Sequence, residues 1–299
     1  MQTAPVAANQ AATLERKERK GIFQSRGWRR FLRYKPGVYG LVVIGLLVLV
    51  AIFAPFLAPY DPNVGDTALR GAPPSWDHWL GCDAIGRDML SRLIYGTRVA
   101  LIVGIGSTAI AVAIGVFFGA LSGFFTGWID NALSRIVDTL MAFPTLALLI
   151  TLAAVIGPSL TVVVIAIGGT VWASYARVVR ADILSLRQRD FVFAAQAAGA
   201  TNSRIIFRHL VPNVLGPVVV LASLSIGNII ILESALSFLG LGVRPPTASW
   251  GGMLADGRAY IRTYPHICLV PGIAITITVL AFNLLGDGVC DALDPRQRD

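Results

Sequence analysis

Side chains that commonly perform catalysis or bind metal ions are few and widely spaced in this chain of 299 residues. The sequence contains no C-x-x-C pair, no H-E-x-x-H motif and no paired acids. We therefore predict neither an enzyme active site nor a metal site. The histidines and cysteines concerned are His78, His209, His266, Cys82, Cys268 and Cys290.

A nucleotide-binding loop is also missing from the sequence. The phosphate-binding pattern G-x-x-x-x-G-K-[ST] needs a Gly-Lys pair, and none of the lysines, Lys17, Lys20 and Lys35, follows a glycine. We therefore expect this chain to bind no cofactor. If the protein drives transport against a gradient, separate subunits must bind ATP and Mg and hydrolyse the ATP.

One acidic residue, Glu233, lies well inside an apolar stretch. An ionisable group at such a depth could belong to a proton relay or contact a transported solute. It could also pair with a polar group on a neighbouring helix, which is the interpretation we favour.

A second group of charged residues is concentrated in the segment LGCDAIGRDMLSR at positions 80–92. Asp83, Arg87, Asp88 and Arg92 alternate in sign around Gly86. Two interpretations are equally open. The four side chains could dock a partner protein, or they could pair with one another as a structural element.

The composition indicates the surroundings in which these residues lie. Hydrophobic residues make up 55% of the chain and charged residues only 14%, which is too few charges to cover a soluble globule of this size. The net charge of +8 does not indicate nucleic acid, because the basic residues lie beside apolar segments with no interleaved aromatic pattern. We predict an all-α protein embedded in membrane lipid.

Membrane-spanning helices can be counted from the charge-free stretches. A helix needs roughly 20 apolar residues to cross the hydrocarbon core. Five stretches qualify, namely 36–60, 99–129, 139–176, 209–232 and 263–286. The third is too long for one span and contains Gly157-Pro158-Ser159, a turn signal, so it is interpreted as two spans. The prediction is six transmembrane helices, with a kink at Pro144.

The basic residues predict the orientation of these spans. If the N-terminus is cytoplasmic, 18 of the 25 lysines and arginines fall in cytoplasmic segments. The predicted organisation is a basic cytoplasmic tail at 1–35, a first span at 36–60 and a periplasmic loop at 61–97. A core of five spans follows at 98–290, with a cytoplasmic loop at 178–212, and a cytoplasmic tail ends the chain at 291–299. The expected location is the bacterial inner membrane.

The predicted cytoplasmic loop differs in character from the spans around it. Asp190 and Phe193 lead into a run of alanines that includes Ala194 and Ala195, which predicts a helix with a narrow face. Gly199 should end that helix, so that a second short helix through Arg204 to Pro212 leaves at an angle. This shape suits a knob that docks in the groove of a partner.

At these positions the sequence resembles the permease subunits of binding-protein-dependent ABC importers. Their loop pattern is Glu-Ala-Ala, three residues, Gly, nine residues, then Ile-x-Leu-Pro. Ala194, Ala195, Gly199 and Pro212 match this pattern, whereas Phe193 replaces the glutamate. His209 and Val211 stand at the isoleucine and leucine positions.

Further motifs resemble the dipeptide, oligopeptide and nickel branch, specifically its second permease. Segment 80–92 is close to G-T-D-x-x-G-R-D-x-x-S-R, and LSFLGLGV at 236–243 and FNLLGDGVCDALDP at 282–295 also follow the branch. The resemblance implies a type I importer permease fold, a second homologous permease, two ABC ATPase subunits and an external solute-binding protein. It favours peptides as the solute, with nickel, glutathione or another small solute as alternatives.

A secondary transporter driven by ions is a further alternative. It would need acids or broken helices at mid-membrane in both halves of an inverted repeat, and the sequence indicates neither.

Overall fold

The computed structural model of the protein describes residues 26–293. The predicted tails at 1–35 and 291–299 therefore lie partly outside the described residues. Within 26–293 the regular secondary structure is helical. The α-helices are α1 (Arg26–Arg33), α2 (Lys35–Ile52), α3 (Ala54–Leu57), α4 (Met89–Phe124), α5 (Trp128–Ala142), α6 (Thr145–Ile156), α7 (Leu160–Leu186), α8 (Asp190–Ala197), α9 (Asn202–Arg204), α10 (Val211–Phe238), α11 (Trp250–Gly257) and α12 (His266–Leu293).

Five of these helical segments are long and apolar enough to cross a membrane. They are α2, α4, α7, the segment from α9 through α10, and α12. A sixth span is formed if α5 and α6 are counted together, since they pass the same test as a pair that is bent by 89°. The predicted all-α, polytopic fold is confirmed.

The bent pair departs from the kink expected at Pro144. The chain turns by 89° there, so the helix is broken into α5 and α6 rather than kinked. Proline removes a backbone donor and clashes with the preceding turn, which accounts for the position of the break. The second break, at Gly157-Pro158-Ser159, is confirmed: α6 ends at Ile156, and the Ser159 side chain accepts a hydrogen bond from the Val162 amide as the N-cap of α7.

The predicted loop at 61–97 is longer than the observed one, because the prediction excluded charged residues from the spans and two of them lie inside a helix. Helix α4 begins at Met89, where the Asp88 side chain caps its first turn, so Arg92 and Arg98 lie inside the helix. Arg98 donates hydrogen bonds to the backbone carbonyls of Ala51 and Ile52, which are free because α2 ends there rather than at residue 60. The helix can contain both arginines because each guanidinium has a partner. Arg98 donates to these carbonyls, and Arg92 lies 3.6 Å from Asp83 Oδ2.

Glycines allow the long helices to pack backbone against backbone. A Cβ atom added at Gly119 of α4 would lie 2.6 Å from the carbonyl oxygen of Ala176 in α7, and one at Gly40 of α2 would lie 2.5 Å from that of Ala281 in α12. Small residues at such crossings are typical of helix association in membranes.

The connections between spans gather at the two ends of the bundle. At one end, called the loop face, residues 58–88 meet residues 239–265, since Arg70 donates a hydrogen bond of 2.8 Å to the Tyr260 hydroxyl. The opposite end, called the segment face, carries residues 187–201 between α7 and α9, where the fifth span begins, together with the first turns of that span.

Candidate functional site

The segment face carries the short helix that was predicted from the alanine run. Helix α8 (Asp190–Ala197) ends in a tight turn at Gly199, whose φ of +76° is the left-handed conformation that favours glycine. The amides of Ala198, Gly199 and Ala200 donate to the carbonyls of Ala194, Gln196 and Ala195. These bonds satisfy the last carbonyls of the helix and fix the direction in which the chain leaves it.

The second helix of this loop belongs to the fifth span, which corrects the predicted bounds of 178–212. Helix α7 continues to Leu186, and α9 runs through a π-helical turn (Ile205–Leu210) directly into α10, whose first turn contains Pro212. Pro212 comes just after the π-helical turn, and its missing backbone donor accounts for a local change of the helical hydrogen bonding at that point. The coupling segment is therefore best defined as residues 187–210.

The coupling segment is anchored by one side of α8 and leaves the other side open. Val192 is fully buried against Ile205, Ile206 and Leu210 in the core of the bundle. Ala195 is half-buried against the same cluster. Any movement of α8 therefore acts directly on the first turns of the fifth span.

Three aromatic side chains of the coupling segment are exposed. Phe193 is 56% exposed, Phe207 is 54% exposed and Phe191 is 40% exposed. Asp190, Ala194, Gly199 and Arg204 are exposed beside them. Within residues 26–293 neither Asp190 nor Arg204 forms an ion pair. We call these exposed phenylalanines the aromatic surface of the coupling segment, since large exposed apolar side chains are candidates for contact with a partner.

The loop face shows the opposite arrangement around the predicted charge cluster. Asp83, Arg87, Asp88 and Arg92 are each at most 8% exposed. Arg87 Nε donates to Asp83 Oδ2 at 2.6 Å, and its terminal nitrogen donates to Asp256 at 2.9 Å. Arg92 lies 3.6 Å from Asp83 Oδ2. Of the two interpretations left open, this geometry favours the self-paired structural element.

Asp88, Gly86 and Cys82 complete the loop-face cluster. Asp88 Oδ1 lies 2.9 Å from His78 Nδ1, and Asp88 Oδ2 accepts from the Ser91 amide and hydroxyl at 2.7 Å. Gly86 has a φ of +84°, and a Cβ atom there would lie 1.8 Å from the Asp66 carbonyl oxygen. Burial, together with nearby Asp88 and Asp83, raises the pKa of the neighbouring Cys82 thiol to about 11.

Among residues 26–293, Glu233 forms no pair with a neighbouring helix, in contrast to the interpretation favoured from the sequence. It is 1% exposed and accepts hydrogen bonds from Ser237 at 2.7 Å and Ser234 at 3.4 Å, both on its own helix α10. Ser237 also accepts from the Val243 amide at 3.3 Å. The Glu233 carboxylate therefore accepts from the Ser237 hydroxyl, and the same hydroxyl accepts from the amide of Val243 in the connection after the fifth span.

A cavity at mid-depth in the bundle was not predicted from the sequence. It has a volume of about 380 Å³ and lies where the bend between α5 and α6 meets α7 and α10. Its polar wall residues are Thr145, Thr170, Ser174 and Asn228. The isolated Asn228 within the apolar stretch 209–232 is the signal by which the sequence could have indicated it.

Comparison with known proteins assigns a family to this bundle. Residues 115–299, more than half of the chain, match the family described as binding-protein-dependent transport system inner membrane component. The chain belongs to this family. Residues 24–74 of the chain match the N-terminal TM domain of oligopeptide transport permease C. The resemblance predicted from the loop motifs is confirmed.

Individual relatives cover almost the whole chain. A dipeptide transport system permease protein of Alkalihalophilus pseudofirmus is 41% identical over 271 residues, 91% of this chain and 89% of the relative. A glutathione transport system permease protein of Pectobacterium atrosepticum is 43% identical over 90% of each chain. An oligopeptide transport system permease protein of Bacillus subtilis is 39% identical over 98% of this chain and 96% of the relative.

Proposed function

We propose that this inner membrane component is one of two pore-forming permease subunits of an ATP-driven importer for dipeptides or oligopeptides. The observation that carries the proposal is the aromatic surface of the coupling segment, which is exposed at Phe193 and Phe207 yet anchored to the fifth span through Val192. A subunit that lacks a phosphate-binding loop needs such a surface to receive work from an ATPase.

The proposed mechanism is alternating access driven from the segment face. Two ABC ATPase subunits bind ATP and Mg, close on one another and carry the coupling segments with them. Because Val192 packs against Ile205 and Ile206 at the start of the fifth span, this movement rocks the span as a rigid body. The chain itself catalyses no reaction in this proposal.

The proposed orientation places the segment face and both termini in the cytoplasm of a bacterium. The basic residues before the first span and in the coupling segment support this orientation. The loop face then lies outside, where a solute-binding protein delivers its ligand. The proposed partners are a second homologous permease, two ATPase subunits and this binding protein.

Reconstitution of the complete complex in proteoliposomes tests the function. We expect ATP-dependent uptake of a radiolabelled dipeptide in the presence of the binding protein, measured in competition with oligopeptides, glutathione and nickel. Strongest competition by glutathione would favour that alternative, which the relative of Pectobacterium atrosepticum motivates. Uptake that persists when the ATPase subunits are omitted would refute an ATP-driven importer.

Substitution of Gly199 tests the role of the coupling segment. Gly199→Leu forces a side chain into a left-handed turn, so we expect the permease to insert in the membrane but to lose the ATPase during purification. Gly45→Leu is the matched control, because Gly45 of α2 is also open, with nothing within 4 Å of an added Cβ atom, but has a helical conformation. Equal ATPase retention by both variants would contradict the proposed contact.

A further inference from the structure

The polar cavity between α5, α6, α7 and α10 lies within the apolar stretches that predict spans. Asn228 falls inside the stretch 209–232, and it is about 15 Å from the end of α10 along the helix axis. Ser174 falls inside the stretch 139–176, one turn before Arg177, whose charge pairs with Asp138. Both residues are therefore flanked by the hydrocarbon-spanning parts of their helices.

Three of the four polar side chains of this cavity have no partner within residues 26–293, whereas Thr170 donates to the Ala166 carbonyl of its own helix. Asn228, Ser174 and Thr145 are exposed. Within residues 26–293 their side chains form no hydrogen bond. An amide or hydroxyl facing hydrocarbon without a partner costs several kcal/mol, so these groups must face water, a solute or another protein.

The chemistry of the cavity wall indicates one class of solute. An asparagine amide offers both donors and an acceptor, which complements the N–H and C=O groups of a peptide bond. None of the ten wall residues is charged, and none is a histidine or cysteine. A wall of this kind provides neither ligands for a nickel ion nor a charged partner for an ionic group. Met141 and Ile231 beside the polar groups provide apolar contact for side chains.

We propose that this cavity is the subunit's half of the solute path and that Asn228 and Ser174 bind the backbone amides of a passing peptide. The volume of about 380 Å³ lies within the range of small-molecule sites, about 300–1,000 Å³. This assignment rests on the proposed importer function and deepens it by naming the residues that contact solute. It also favours a peptide-like solute over a bare metal ion.

Cysteine labelling in the complete complex tests whether the cavity is a water-filled path. Asn228→Cys and Ser174→Cys are made in a Cys290→Ser background, and a water-soluble, membrane-impermeant thiol reagent is added during turnover. The matched control is Ile277→Cys, which is 49% exposed in α12 but borders an apolar groove. We expect the two cavity cysteines to react at least about tenfold faster than the control, because thiolate forms in water and not in lipid.

Peptide uptake tests the proposed contact itself. Asn228→Leu should lower dipeptide uptake about three- to tenfold, the range for one lost hydrogen bond, while complex assembly stays intact. Ile277→Leu should leave uptake unchanged. A saturating dipeptide, supplied with the binding protein, should also slow labelling of Asn228→Cys.

Two results would overturn the assignment. One is slow labelling of both cavity cysteines, and the other is a cross-link from Asn228→Cys to the companion permease, which would make this wall a subunit interface. If the unmodified complex moves no peptide but the cavity cysteines still label rapidly, the peptide function fails while the water-filled path stands. The two failures are therefore distinguishable.

Discussion

The two ends of the helix bundle differ in which side chains they bury: the loop face buries charged side chains, and the segment face exposes aromatic ones. On the loop face, Asp83 and Arg87 are buried, and their charges are satisfied by each other, by Arg92 and by Asp256. On the segment face, Phe193 and Phe207 are more than half exposed, and nothing in the described subunit covers them.

This difference separates a structural motif from an interaction surface. Both regions follow the family pattern, so the pattern alone does not tell which one contacts a partner. A charge cluster whose members are paired internally stabilises the loops around it. An exposed aromatic surface contributes stabilising free energy only when a partner buries it. Substituting the buried charges of the loop face should therefore lower stability, whereas substituting the exposed phenylalanines of the segment face should weaken coupling.

The largest loss of stability is expected for Asp83→Ala. It leaves Arg87 and Arg92 buried without their shared carboxylate and also removes the acceptor for the amides of Ile85 and Arg87. Breaking a buried pair typically costs about 3–5 kcal/mol. A much lower melting temperature of the purified permease in detergent would show this. Asp77→Ala, on an exposed loop residue, should melt like the unmodified protein, and equal melting of both variants would contradict a buried cluster.

A smaller loss of stability is expected for Ser237→Ala. It removes the hydroxyl that donates to Glu233 and accepts from the Val243 amide, so two buried groups lose a partner at a cost of about 1–3 kcal/mol. Thermal unfolding followed by tryptophan fluorescence measures the effect. Ser225→Ala is the control, since its hydroxyl donates to the Leu221 carbonyl of its own helix and, within residues 26–293, holds neither a carboxylate nor a backbone amide. A Ser237→Ala variant as stable as Ser225→Ala would show that the Glu233 network is dispensable.

Gly199→Ala should cost about 1–2 kcal/mol, because alanine is strained in the left-handed conformation that Gly199 adopts at a φ of +76°. Gly199→Asn should cost less, since asparagine tolerates this conformation. The same melting experiment measures both. Gly45→Ala, in the helical α2, should be neutral or stabilising. No difference between alanine and asparagine at residue 199 would argue against the turn described for α8.

The smallest change in stability is expected for Phe193→Ser, within about 0.5 kcal/mol, because this side chain is 56% exposed. ATPase binding should nevertheless weaken strongly, as measured by retention of the ATPase subunits during purification. Phe56→Ser on the loop face, where Phe56 is 86% exposed, should leave ATPase retention unchanged. Similar retention by both variants would remove the contrast between the two faces. Phe193→Glu would show whether the acid of the family pattern can replace the aromatic ring.

Local features of the sequence were sufficient to predict most of the membrane-spanning helices and α8, but not α11 or the break between α5 and α6. Apolar runs predict spans because hydrocarbon requires every backbone group to bond within its own helix, and Gly157-Pro158 and Gly199 end helices through conformations that few other residues adopt. The alanine run of α8 and the position of its turn follow from the same local rules. Boundaries set by charge were less accurate, since Arg92 and Arg98 lie inside α4.

Contacts between distant residues were decided only in the tertiary structure. Asp256 lies 169 residues from Arg87 in the chain, and no local pattern predicts that it joins the loop-face cluster. Glu233 and Asn228 are both polar residues in one apolar helix. Glu233 is buried and accepts hydrogen bonds from two serines, whereas Asn228 faces the cavity. The direction a side chain faces depends on which helices pack around it, and that is set by the whole bundle. The sequence by itself determined the spans and the coupling helix, and packing determined which polar groups stay free to meet a solute.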